Sequence, residues 1–561
     1  MEPVFKLPLD LPPTPNRLNE LFLPDKLIDK IVTASNAYAR KILPTGRVEI
    51  VSAEEILRFF AIYYYMGIVR LPAKEDYWKQ EPDFWPAHPV VGGMPYHRFK
   101  CIWRTIHLSQ VEEVDVEEPD IDDDNEEEEE EEEEVIDDAD EERDVDTRWY
   151  AKCAMIVESF VETSQKLCTH LGKTLSIDEM MKKFKGRSAQ THKMKNKPIK
   201  QGYKFFSVCD SSSGYIWNII PDGRLEKSTI YGTCMELVRS LPKKDTCKYI
   251  VAMDNYFTFV KVLAGFRELG VGCVGTARAR PGWPPKEFKD VDDDRFNSFY
   301  LLKEEKQLTC RWVDNNVVTM VTTVHTGKEK IARDRKRPRL TNTNRNNVST
   351  VWGDKGVTNI EIPCIIDDYN HWMGGVDKAD QFIAHCRPQL RCRRTWMPIM
   401  FHILDCMRVN AFCIMKEHEP KTIHKEFLRQ WIKALTARSY AASMTIRRAA
   451  RLHNQDPTAA VAAPAPKRRR MSHKNPMLPE YRFNGLPEEH VAVSVERGAN
   501  GKSVPKRCTY CAYEVAMAKL LGHPAPTLHR ATKKCAYCQD YLCKHHFNDF
   551  HQKNGNNNDN N

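Results

Sequence analysis

LSIDEMMKKFKGR (Leu175–Arg187) opens the part of the chain whose periodicity decides the fold. Its first half alternates apolar and polar residues as a strand does, and Asp178 interrupts it. KFFSVCD (Lys204–Asp210) and YIWNIIPDG (Tyr215–Gly223) follow as further strands, separated by Ser211-Ser212-Ser213-Gly214, a run built of turn residues. A helical stretch over about 228–241 leads to the apolar strand YIVAMD (Tyr249–Asp254). A helix near 260–269 and the strand VGCVGTAR (Val271–Arg278) come next. Three strands, a helix, a strand and a helix are the order of an RNase H-like α/β core.

Outward from this core the patterns change. Residues 1–26 carry several prolines and read as disordered. From about residue 27 the chain is helical and aromatic. Ser52 and Glu55 form a capping-box signature before ILRFFAIYYYMGIVRLP, and Pro72 ends that helix. A second helical run spans about 150–171. Residues 281–363 turn polar, basic and irregular, which reads as an insertion into the core. Helices resume at Gly375, and a long one is expected over 396–416.

The 561 residues carry a net charge of +7, but the acid is concentrated. Residues 112–146 hold 25 Asp and Glu, including nine consecutive glutamates at Glu126–Glu134, against the single base Arg143. Without that segment, 83 bases face 52 acids, an excess of 31. Such an excess favours a polyanion as partner. The acidic block cannot bury itself and is expected to loop out, competing with that polyanion for basic surfaces. The most apolar early stretch, Ile56–Leu71, is short and contains Arg58, so no membrane span or secretory leader is expected. The 18 cysteines are expected as thiols or metal ligands. Lys467-Arg468-Arg469-Arg470 in a Pro/Ala-rich linker points to the nucleus.

Three aspartates stand out. Asp178 and Asp254 end or interrupt apolar strands, and Asp377 follows Gly374-Gly375 in YNHWMGGVDKADQF (Tyr369–Phe382). A lone aspartate in such a place is usually a turn or cap residue. Carboxylates from separate elements that converge can instead hold divalent metals for phosphodiester chemistry, where hard oxygen donors suit Mg²⁺ or Mn²⁺. Asp380, three residues after Asp377, shares its helix face. Lys185, Arg187, Lys197 and Lys200, with Lys182, Lys183, Lys193 and Lys195 around them, and Arg278 and Arg280 after the last core strand, are candidate phosphate contacts. Near the end, Cys508-x2-Cys511, Cys535-x2-Cys538, Cys543-x2-His546 and His551 have the spacing of structural zinc ligands. Seven ligands need an eighth for two sites; His523, His529 and His545 are available.

With ILRFFAIYYYMGIVRLPAKEDYW, LSIDEMMKKFKGR, NKPIKQGYKFFSVCD, AMDNYFTF, YNHWMGGVDKADQ and the terminal Cys/His pattern in this order, the sequence resembles the piggyBac transposase family over about residues 27–551. The resemblance implies an RNase H-like core at 174–280 and 364–387, with an insertion domain at 281–363. A helical dimerisation and DNA-binding domain would be split between 27–173 and 388–450. A linker over 451–505 and a zinc-binding cysteine-rich domain at 506–553 would follow. It implies Asp178, Asp254 and Asp377 as catalytic metal ligands, with Asp380 matching a further acid, and it favours His523 as the eighth zinc ligand. The activity implied is cut-and-paste transposition by a homodimer on double-stranded DNA. Transposon ends are nicked, hairpins form and reopen, and 3′-OH ends join TTAA sites. The same residues admit a second reading, an element-derived nuclear DNA-binding protein that has lost transposition.

Overall fold

The computed structural model describes residues 3–7, 12–42, 50–79, 87–109, 148–194, 197–225, 229–242, 249–278, 298–304, 306–314, 317–341, 344–388, 390–453, 492–494, 533–535 and 541–542. The chain divides into two units, Met1–Gln455 and Asp456–Asn561.

The first unit begins with β1 (Val4–Phe5), α1 (Pro15–Phe22), α2 (Asp25–Ile42), α3 (Ala53–Ile68), α4 (Tyr96–Thr105), α5 (Ala151–Leu167) and β2 (Cys168–His170). Thr14 caps α1 by accepting from the Arg17 amide at 3.2 Å, and proline occupies its first turn. Leu18 and Phe22 of α1 are fully buried, and β1 pairs antiparallel with β2. The stretch 1–26, expected disordered, therefore holds ordered elements; their stability comes from distant partners, which composition does not reveal. The capping box of α3 forms as expected, with Glu55 N donating to Ser52 Oγ at 3.3 Å and Ser52 N to Glu55 Oε2 at 3.1 Å.

The core follows: β3 (Thr174–Lys183), β4 (His192–Lys193), β5 (Gln201–Asp210), β6 (Ile216–Asp222), α6 (Ile230–Arg239), β7 (Ile250–Met253), α7 (Val260–Glu268) and β8 (Gly272–Thr276). β5 runs antiparallel to both β3 and β6, while β7 is parallel to β3 and β8 parallel to β7. The order β6-β5-β3-β7-β8 thus places the first core strand at the centre, beside the fourth.

β9 (Phe299–Glu304), β10 (Gln307–Val313) and β11 (Val317–Thr322) then continue the same sheet, β11 pairing with β8 through Met320 opposite Thr276. The full order is β4-β5-β3-β7-β8-β11-β10-β9, with β6 on β5, nine strands in all. The expected irregular insertion is here a β-meander: apolar Leu308, Cys310, Trp312, Met320 and Val321 are buried, while charged residues between them obscured the alternation. β12 (Lys330–Lys336), α8 (Arg345–Trp352) and β13 (Val357–Pro363) complete it, β12 and β13 forming a separate antiparallel ribbon.

α9 (Cys364–Trp372), α10 (Gly375–His385), α11 (Met397–His418) and α12 (His424–His453) close the unit. Among the described helices, α11 alone is long and apolar enough to cross a membrane, and it is buried from Met397 to Met415. It is the spine of the helical layer. Tyr63 of α3 stacks on Phe401 at 4.3 Å, and Tyr64 donates to the Leu404 carbonyl at 2.7 Å. Trp431 of α12 meets Tyr64 edge-on. Helices from both ends of the first unit therefore share one core. In the second unit, β14 (Ala492–Ser494), β15 (Lys533–Cys535) and β16 (Tyr541–Leu542) form a small antiparallel sheet.

Candidate active site

Strand register brings the first two acids together. Ile177 of β3 lies opposite Met253 of the parallel β7, so Asp178, midway along β3, and Asp254, just past the end of β7, lie side by side. The Glu179 amide donates to Asp178 Oδ1 at 2.7 Å. The Tyr256 amide donates to Asp254 Oδ1 at 2.8 Å, fixing that carboxylate in a turn closed by Thr258, which donates its hydroxyl to the Asp254 carbonyl at 2.7 Å.

The other two acids arrive on α10. Its first turn lies against β3: the Val376 amide donates to Ser176 Oγ at 3.1 Å. A Cβ on Gly375 would stand 2.5 Å from that hydroxyl and 2.8 Å from the Asp210 carbonyl, so only glycine allows this approach. Lys378 donates to the carbonyls of Ser211 (2.6 Å) and Ser212 (3.2 Å), tying the helix to the β5–β6 turn. Asp377 is exposed in the first helical turn, and Asp380 is half-buried one turn on.

Electrostatics tie the four together. Burial pushes Asp178 up to about 6, and the charges of Asp254 and Asp377 add to the rise, against the Glu179 amide and Lys197. Burial pushes Asp380 up to about 7; Arg387 draws it down, while Asp377 and Asp178 raise it. Tyr369 of α9 is raised by burial first, then by Asp254, Asp178 and Asp377. Acids that repel one another in a half-buried setting are stabilised by a cation. Among the described residues none of the four is ion-paired, and their hard oxygens fit a divalent ion. Among the described residues, no three metal-binding side chains stand close enough to grip an ion as they are.

Of the expected phosphate contacts, Lys185, Arg187, Lys197, Lys200 and Arg278 are exposed, as are Lys183 and Lys193. Lys197 leans on Glu179 at 3.6 Å. Lys182 is a correction: it is buried and faces Asp405 Oδ2 at 3.5 Å, because its place in the strand turns it inward toward α11. Arg280 and Lys195 lie outside the described residues, as do residues 112–146 and 467–470. So do Cys508, Cys511, His523, Cys538, Cys543, His546 and His551, with His529 and His545; Cys535 ends β15. The described cysteines of the first unit are free thiols. Arg387, whose charge bears on Asp380, and Ser176, which seats α10, escaped sequence reasoning. Neither position carries a pattern of its own.

Two neighbouring strands and a helix of one mixed α/β unit thus bring four acids within electrostatic reach of one another. The chain belongs to the family described as Transposase IS4, whose model matches residues 14–412. Within it, the piggyBac group is where its relatives lie. The chain is 25% identical over 426 residues to the human "PiggyBac transposable element-derived protein 3", covering 73% of this chain and 62% of that protein. It is 24% identical over 411 residues to the human "PiggyBac transposable element-derived protein 2", covering 71% and 61%. The chain thus spans about three fifths of the length of these curated relatives. In fold it is similar to piggyBac transposase as solved by cryo-EM in a synaptic complex with hairpin DNA. The TM-score is 0.57 at 16% identity, covering 97% of this chain and 98% of that one.

Proposed function

We propose that this protein is a divalent-metal-dependent DNA transposase that cuts element ends and joins them to a target through an RNase H-like core. The observation that carries the reading is the gathering of Asp178, Asp254, Asp377 and Asp380 where the central strands β3 and β7 meet α10, with burial and mutual repulsion raising two of them. Asp178, Asp254 and Asp377 would hold Mg²⁺ or Mn²⁺, and Asp380 would complete the acidic surround. When bound, such ions supply Lewis acidity at the phosphate oxygens. The Glu179 and Tyr256 amides aim the Asp178 and Asp254 carboxylates. Asp178 must be ionised to act as a ligand, so with its carboxyl raised to about 6, protons compete with the metal below about that pH. Lys185, Arg187, Lys197, Lys200 and Arg278 would take phosphates of the duplex, positioning without reading sequence. Nicking, hairpin formation and opening, and joining at TTAA are in-line attacks on phosphorus that one such site serves in turn. Homodimerisation on paired ends, nuclear location and two zinc ions in the second unit belong to the same proposal.

Nicking of the flanking element's own ends in Mg²⁺ or Mn²⁺, comparing the natural chain with Asp254→Ala, tests it. Equal cleavage by both rejects the assignment. The curated relatives are named as element-derived proteins, which motivates the second reading, a DNA-binding descendant without transposition. A plasmid excision assay separates the two: binding without excision selects the descendant.

A further inference from the structure

Tyr256 stands two residues past Asp254 and is 39% exposed. Its backbone amide is the group that holds the Asp254 carboxylate, so ring and acid belong to one turn. Neighbours brace the ring. It lies nearly parallel to Phe206, with 6.3 Å between centroids and 22° between planes, and meets Phe257 edge-on at 5.1 Å and 89°. Lys204 Nζ sits 5.3 Å from the ring centroid, and Asp222 fixes that ammonium at 2.7 Å. Phe206 is opposite Glu179 in the β3–β5 ladder, on the sheet face that Asp178 does not use. Tyr256 therefore stands on the sheet face opposite Asp178 and joins the acid cluster only through the turn that holds Asp254. The exposed Lys197 approaches Glu179 on that same face.

A ring 39% exposed forgoes part of the about 1.5–3 kcal/mol that full burial of a large apolar side chain gives. A ring braced on one side, open on the other and flanked by cations is instead what unpaired bases stack on. A paired base inside a duplex has both faces covered by its neighbours and shows only its edges. A flat surface ring can engage only a base that has left the stack or ends a strand.

We infer that Tyr256 is a stacking platform for an unpaired base next to the strand position held at the carboxylates. This rests on the DNA reading above and adds a substrate requirement: the duplex must be open beside the reacting phosphate.

The test uses the full chain in EDTA with two probes: a short single-stranded oligonucleotide carrying one 2-aminopurine, and the blunt duplex of the same sequence. Stacking quenches the 2-aminopurine. The natural chain, Tyr256→Phe and Tyr256→Trp are expected to quench it. Tyr256→Ala is expected to lose the quenching and bind the single strand about tenfold more weakly, as loss of one base–ring stack implies, with duplex affinity unchanged. Matching circular dichroism confirms that the exposed substitution leaves the fold intact. Undiminished quenching by Tyr256→Ala overturns the inference and leaves the transposase reading standing. Equal weakening on both probes also overturns it, because the ring would then act on DNA generally. A natural chain that binds neither probe removes both readings.

Discussion

Asp178→Asn is expected to make the metal-free protein more stable above neutral pH, the reverse of the usual effect of substitution at a half-buried polar site. Asn keeps the shape and the oxygen that accepts from the Glu179 amide and removes only the charge. In the fold, burial first, then Asp254 and Asp377, raise the carboxyl from 3.8 to about 6. At 1.36 kcal/mol per unit, that difference corresponds to about 3 kcal/mol against the ionised form, trimmed by solvent relaxation to about 1–3 kcal/mol. The sign follows from linkage. The folded state binds the proton more tightly than the unfolded chain, so the penalty is complete above about pH 6 and fades as pH falls toward about 4. Asp380→Asn should behave likewise, with its window shifted up, since its carboxyl reaches about 7. The assay is thermal unfolding in EDTA at pH 8 and pH 4, repeated at pH 8 with Mn²⁺. The natural chain should gain stability from Mn²⁺ by mass action, about 2.7 kcal/mol at a hundred times the Kd, and the Asn variants much less. An Asp178→Asn protein no more stable than the natural chain at pH 8 in EDTA refutes the reasoning. So does a gain that persists undiminished at pH 4.

Three further outcomes are expected. Gly375→Ala forces a Cβ to 2.5 Å from Ser176 Oγ and should cost about 1–3 kcal/mol in urea unfolding while abolishing nicking. Gly374→Ala, with nothing within 4 Å of its Cβ, should be nearly silent. Asp405→Ala leaves Lys182 and Arg408 buried beside an emptied partner site and should cost about 3–5 kcal/mol in the same measurement. Ser52→Ala removes half of the α3 capping box and should lower stability by about 1 kcal/mol.

The strands bearing Asp178 and Asp254 were legible because their apolar runs are short, regular and bounded by turn residues. The α3 cap was legible because it is a local bond between residues three apart. What stayed hidden is long-range. α1 and β1 sit in a proline-broken stretch whose composition says disorder, yet Phe22 is wholly buried and Val4 pairs opposite His170. In the meander, Arg311 lies between Cys310 and Trp312 and is buried with them, and a charge at a buried position does not read as core. Lys182 looked like one more base in a basic run. Period two says that it shares a face with Asp178, but only the position of α11 says that this face is covered there.

The site is assembled by two kinds of constraint, and they differ in robustness. Asp178 and Asp254 are set by strand pairing, where a slip of one residue would turn every side chain of β3 to the wrong face and put Ser176 or Asp178 in place of the buried Ile177. That register is protected by the whole sheet. Asp377 and Asp380 depend instead on one helix seated by the missing side chain of Gly375, the hydroxyl of Ser176 and the ammonium of Lys378. The repulsion among the four acids bears on both halves, and the helix meets it with Val376, Ala379 and Ile383 buried in the core beside those three anchors. A cation drawn into the cluster would convert that repulsion into attraction and draw α10 against β3.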